Sequence, residues 1–124
     1  MISRFIAAIG LLLALGASAS AITETFVGTL DGLQENPDVP TSATGSGTAV
    51  YDSVANSLAV NLTFSGLGSN TNNAHIHCCS LPPVNTPVII PFVPPFPLGV
   101  TSGVMNTVFN LTPATVAQVK EWVT

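Results

Sequence analysis

The segment NNAHIHCCSLPP, residues 72–83, gathers both histidines and both cysteines of the chain between His75 and Cys79. On an extended strand alternate side chains share a face. His75 and His77 therefore point the same way, joined by Cys79 where the strand continues, while Ile76 and Cys78 point to the opposite face. Two neutral imidazoles at that spacing can reach one zinc or copper ion, and a thiolate would add a third ligand. A metal-binding or redox role for His75, His77 and Cys79, with copper or zinc as the ion, is one expectation. The plainer alternative is that the two imidazoles hydrogen-bond to loops and fix the wet face of the strand, since a closed zinc site usually has four ligands. For Cys78 and Cys79 the readings are a small buried thiol pair, an intermolecular bond, or a disulfide between neighbours. The last closes almost no loop and would add little stability.

Other chemistry is thin. The six carboxylates are Glu24, Asp31, Glu35, Asp38, Asp52 and Glu121. They are scattered, and no nucleophile elbow or Ser-His-Asp order is present. Acid–base catalysis needs a second positioned group, so Glu35 and Pro37, in a proline-bracketed loop, are read as structural and the chain as non-enzymatic.

The elements that would position the histidines are strands. SLAVNLTFSG is the clearest: Leu58, Val60, Leu62 and Phe64 alternate with Ala59, Asn61, Thr63 and Ser65. Period two over eight residues predicts one buried face and one wet face. ETFVGTLDGL puts Phe26, Gly28 and Leu30 on one side and Val27 and Thr29 on the other. Gly47 to Ser65 reads as a hairpin with Ser53–Asn56 as the tight connection. AHIHC resumes an extended run, and SGVMNTVFNL is a further strand. Seven of the ten prolines lie between Pro82 and Pro97, a density that predicts polyproline II or irregular loop. Its apolar residues, among them Ile90, Phe92 and Phe96, are expected to lie against a sheet. Thr112-Pro113 reads as a helix N-cap followed by proline at the first helical position. Val116, Val119 and Val123 supply the buried side of a short helix. The fold class is mainly β: an antiparallel Greek-key sandwich or barrel-like domain, with an N-terminal signal helix and a short C-terminal helix.

The chain has 124 residues and eight Lys, Arg, Asp and Glu side chains. Arg4, an apolar core from Phe5 to Leu15 and the small residues GASASA have the three-part layout of a secretory signal. Residues 1–21 are expected to be removed, leaving one domain over 22–124 without a membrane span, secreted or held at the cell envelope. A spanning helix needs roughly 20 apolar residues, more than this core offers. After residue 21 the only cation is Lys120. Neutralising a phosphate backbone takes several, which argues against a nucleic-acid partner.

The strand segments resemble the CHRD (chordin) domain, found in chordin and in many secreted bacterial proteins. The resemblance rests on Phe26, Leu30, Gly32, Glu35, Pro37, Val39, Thr41, Ala43, Gly45 and Gly47, then on LTFSGL at Leu62–Leu67 and AHIH at Ala74–His77. It covers about residues 24–111, and the HIHCC variant with FPLGVTSG is similar to a bacterial branch. It implies an extracellular domain that binds another protein or serves a structural role. The family often has glycine where this chain has Cys78. It usually closes with an Asn-x-His-Thr strand and a Gly-Glu-Ile-Arg-Gly strand, for which no counterpart is found, so the domain is expected to be truncated. On that reading it would be poorly soluble or molten. The His-x-His spacing is also similar to that of copper-zinc superoxide dismutases, whose other ligands are not recognisable here.

Overall fold

In the computed structural model, which describes residues 20–35, 37–80 and 84–121, the alternating segment forms a strand with one apolar and one polar flank. The elements run β1 (Thr23–Leu30), a 3-10 turn (Gly32–Gln34), β2 (Thr44–Asp52), β3 (Ser57–Ser65), β4 (His75–His77), β5 (Val88–Pro91), β6 (Gly103–Asn110) and α1 (Pro113–Lys120). Four strands form one antiparallel sheet in the order β1-β2-β3-β6, and β4 and β5 form a separate antiparallel pair. After β3 the chain crosses to the second layer, makes the β4–β5 pair, and returns to lay β6 beside β3. The sheets remain open and do not close into a barrel. The signal segment, residues 1–19 of it, lies outside the described residues.

Short-range chemistry explains the turns. Asp52 Oδ1 accepts from the N–H groups of Val54 and Ala55, each at 2.8 Å, and Asn56 adopts a left-handed φ of 49°. Asp and Asn favour such positions because a short polar side chain can bond locally. The hairpin is therefore as expected, and its pairing extends back to Thr44. In the β1–β2 connection, Asp31 Oδ1 accepts from Leu33 N–H (2.9 Å) and Gln34 Oε1 from Asp31 N–H (3.3 Å). These reciprocal bonds form a capping box. Gly32 is buried there, and a Cβ at its position would overlap the Val39 carbonyl oxygen; Val39 N–H donates to Gly32 O at 2.8 Å. Glu35 N–H donates to Gly32 O at 3.4 Å, and Pro37 is exposed.

The inner face of the four-stranded sheet supplies Tyr51, Leu58, Val60 and Met105 to the core. The covering layer supplies Ile90, Phe92, Phe96 and Val119. Phe64 stacks on Phe96 with ring centroids 5.2 Å apart, and Phe92 on Phe109 at 5.3 Å. The proline-rich stretch does lie against the sheet, but one part of it differs from expectation. Val88–Pro91 is a strand rather than irregular loop. Proline is excluded from a ladder only where its missing N–H is needed; here it flanks the three apolar residues, as Pro87 and Pro91. The segment after it is anchored by Phe92 N–H to Ala74 O and Phe96 N–H to Phe92 O, both 2.9 Å.

The C-terminal helix begins as its sequence predicts. Thr112 Oγ1 accepts from Thr115 N–H at 3.2 Å, and Pro113 opens the first turn. Val119 is fully buried and Val116 half-buried; Val123 lies outside the described residues. Lys120 in the last turn complements the helix dipole. Among the described residues, the Tyr51 hydroxyl is buried without a hydrogen-bond partner.

Candidate functional site

Three residues of strand present the imidazoles. Ile76 packs against the core cluster and pairs with Ile90, while His75 lies opposite Pro91 and His77 opposite Val88. The register shifts between Ile76 and His77, a bulge of the kind that re-aims side chains. Both imidazoles are exposed, on the flank expected from period two. Their ring centroids are 4.6 Å apart in an edge-to-face arrangement with an interplanar angle of 83°.

His77 has a defined orientation. Its Nδ1 lies 2.5 Å from the Thr86 carbonyl oxygen. A carbonyl only accepts, so Nδ1 carries the proton and donates it. A neutral imidazole in that tautomer keeps its lone pair on Nε2. Metal-ligating histidines commonly have their other ring nitrogen held in this way. Thr86 is a contributor that the sequence could not single out, because it acts through a backbone carbonyl that any residue would supply.

β4 ends at His77, and the sulfurs of Cys78 and Cys79 are joined as a disulfide, one of the readings open for this pair. Cys78 is buried. Both sulfurs lie against the Gln118 carbonyl of α1, at 3.5 and 3.4 Å. Without an S–H these are packing contacts rather than hydrogen bonds, and they connect the end of β4 to the helix. No group of three or more His, Cys, Asp or Glu side chains is placed to hold a metal ion among the described residues. The Glu35–Pro37 connection makes no hydrogen bond to β4 among those residues.

The opposite surface has a different character. The outer face of the four-stranded sheet carries rows such as Val27, Thr48, Asn61 and Asn106, and Thr29, Ser46, Thr63 and Val104. Val27, Val104 and Val108 are 79%, 69% and 62% exposed. Ser46 Oγ and Thr63 Oγ1 lie 3.2 Å apart, and Asn61 Nδ2 donates to Thr48 Oγ1 at 3.4 Å. Asn61 and Asn110, each opening an NLT triplet, are both exposed.

The family model of the CHRD domain matches residues 26–122. The chain belongs to the CHRD domain family. No curated protein matches it, and no solved structure does. The match extends past α1, so the CHRD domain includes the covering layer and helix as well as the four-stranded sheet. It also includes both faces described above: the His-x-His strand on one layer and the Thr, Asn and Val surface on the other. No described helix of this CHRD domain is long and apolar enough to cross a membrane.

Proposed function

We propose that the protein is an exported, non-enzymatic CHRD domain that binds another extracellular protein through the outer face of its four-stranded sheet. The observation that carries this is the composition of that face. The two rows given above contain no Lys, Arg, Asp or Glu, and the most exposed large hydrophobic side chains of the sheet are Val27, Val104 and Val108. Cores of protein interfaces are depleted in charge in the same way, and exposed apolar groups rimmed by polar ones mark interaction surfaces. CHRD domains are generally extracellular, which supports export through the signal layout of residues 1–21.

A photoreactive phenylalanine analogue at Val27, introduced in the producing cells, tests this reading. A single protein adduct is expected, lost when Val104 is changed to lysine. The same adduct from an analogue placed at Glu121, or only a second copy of this chain in the adduct, would contradict it.

A second reading, a two-histidine copper or zinc site, is favoured by the His77–Thr86 bond. That bond leaves Nε2 of His77 as a ligand beside His75, with the remaining positions open to water or a partner's side chain. Protein purified without a tag is expected to carry about one equivalent of copper or zinc per chain on this reading. Changing His75 and His77 to alanine would abolish it. Equal metal in the variant, or a metal-free wild type that takes up neither ion on titration, would end the metal reading.

A further inference from the structure

We propose that Cys78 and Cys79 form a redox-responsive joint between the end of β4 and α1, whose folded surroundings favour the dithiol over the disulfide. The fold sets both sulfurs against one atom. Cys78 Sγ and Cys79 Sγ lie 3.5 and 3.4 Å from the Gln118 carbonyl oxygen. Gln118 is in the last turn of α1, where carbonyls lack a donor four residues further along the helix. Glu121 N–H reaches this one at 3.2 Å, and a carbonyl oxygen has a second lone pair to fill. A disulfide has no hydrogen to offer it. A thiol does, since S–H is a weak donor. The meeting point is held from both sides. Cys78 N–H donates to Pro87 O at 3.2 Å, just before β5, and Val119, the residue after Gln118, is fully buried in the core.

A structural disulfide is favoured by folding because it constrains the unfolded chain, and the gain grows with the loop it closes. For neighbours in sequence that contribution nearly vanishes. What remains is how the folded site treats the two forms, and the Gln118 acceptor favours the one that carries S–H. The linkage therefore has the opposite sign to that of a stabilising disulfide: reduction should tighten α1 on the end of β4, and oxidation should loosen it. The reductant is a thiol. Its thiolate attacks Cys79 Sγ, which is half-buried where Cys78 is buried. The S–S bond of the pair breaks, and Cys78 leaves as a thiolate and takes up a proton. A second thiol attacks the mixed disulfide at the reductant's sulfur, freeing Cys79, which is protonated in turn. The pair gains two electrons and two protons, and the two thiols end as one disulfide. This inference depends neither on the outer face of the sheet nor on a metal ion at His75 and His77.

Glutathione tests it on the protein produced from its whole coding sequence. Native and urea-unfolded protein are brought to equilibrium with the same series of reduced and oxidised glutathione. Free thiols are then alkylated, and the reduced fraction is read by mass. Half-reduction of the native protein is expected at a [GSH]²/[GSSG] value roughly 3–10-fold lower than in urea, the effect of about one weak hydrogen bond. Amide exchange gives a second reading. In α1 it should be slower in the reduced protein than in the oxidised one by a similar factor. A pair reduced no more easily in the native protein than in urea would overturn the proposal. So would α1 exchange that is unchanged or faster on reduction, or a pair that forms no disulfide even under oxidised glutathione alone.

Discussion

Replacing Phe92 by alanine is expected to destabilise the protein by about 3–5 kcal/mol, the largest loss from any single side chain described here. Phe92 is buried and sits at the joint between the layers. Its ring stacks on Phe109 of β6, and its N–H donates to Ala74 O just before β4. Truncation removes the transfer free energy of the ring and leaves a cavity that a proline-flanked segment cannot easily collapse into. Domains of this size have about 5–15 kcal/mol of stability in total, so the variant loses a large share of it. Urea unfolding monitored by tryptophan fluorescence and far-ultraviolet circular dichroism measures the change. Amide exchange should accelerate most in β4 and β5, which have few other attachments, and the His75–His77 pair should lose its fixed geometry. A midpoint unchanged within error would show that the covering layer is not held by this side chain.

Leu58→Ala should cost about 2–5 kcal/mol, while Val108→Ala, on the opposite flank of the neighbouring strand β6, should stay within about 0.5 kcal/mol. Leu58 is 0% exposed, opposite Tyr51 on one side and Phe109 on the other. Val108 is 62% exposed and lies opposite Ala59, one residue along β3 from Leu58. The pair of variants isolates the direction of the side chain from the identity of the strand, because both sit near the same end of the β3–β6 ladder. Equal effects would mean that the sheet is not one-sided. Both predictions require one cooperative unfolding transition in the wild type. Ile90, Phe92, Phe96 and Val119 of the covering layer form one cluster with Leu58, Val60 and Met105, and a wild type without a cooperative transition, as expected of a truncated domain, would remove the basis for both.

The two faces of the molecule offer separate routes to function. The outer face of the sheet is uncharged along its central rows. The histidines lie on the other layer, attached through β5, Phe92 and the Gln118 contact to α1. A change that loosens the covering layer is expected to disturb the imidazole pair before it disturbs Val27 or Val104. The cysteine disulfide at the end of β4 belongs to that layer as well.

What the chain alone settled was everything governed by short-range rules. Alternation along Leu58–Ser65 determined which flank is buried, because successive side chains on a strand face opposite ways wherever the strand is placed. The same rule put His75 and His77 side by side. Thr112-Pro113 marked the helix start through capping chemistry that needs no tertiary contact. Tertiary structure decided the rest. Val88–Pro91 became a strand because β4 was there to pair with it, against the local weight of proline. The pairing of the Cys78 and Cys79 sulfurs, one of several readings open from the sequence, appears only with the strand ending at His77. Thr86 oriented His77 from nine residues away through a carbonyl that carries no side-chain signature. The place of β6 beside β3 also depends on strand order, since the chain returns to it from the second layer. Those outcomes depend on which segments meet, and meeting is a property of the whole fold rather than of any stretch within it.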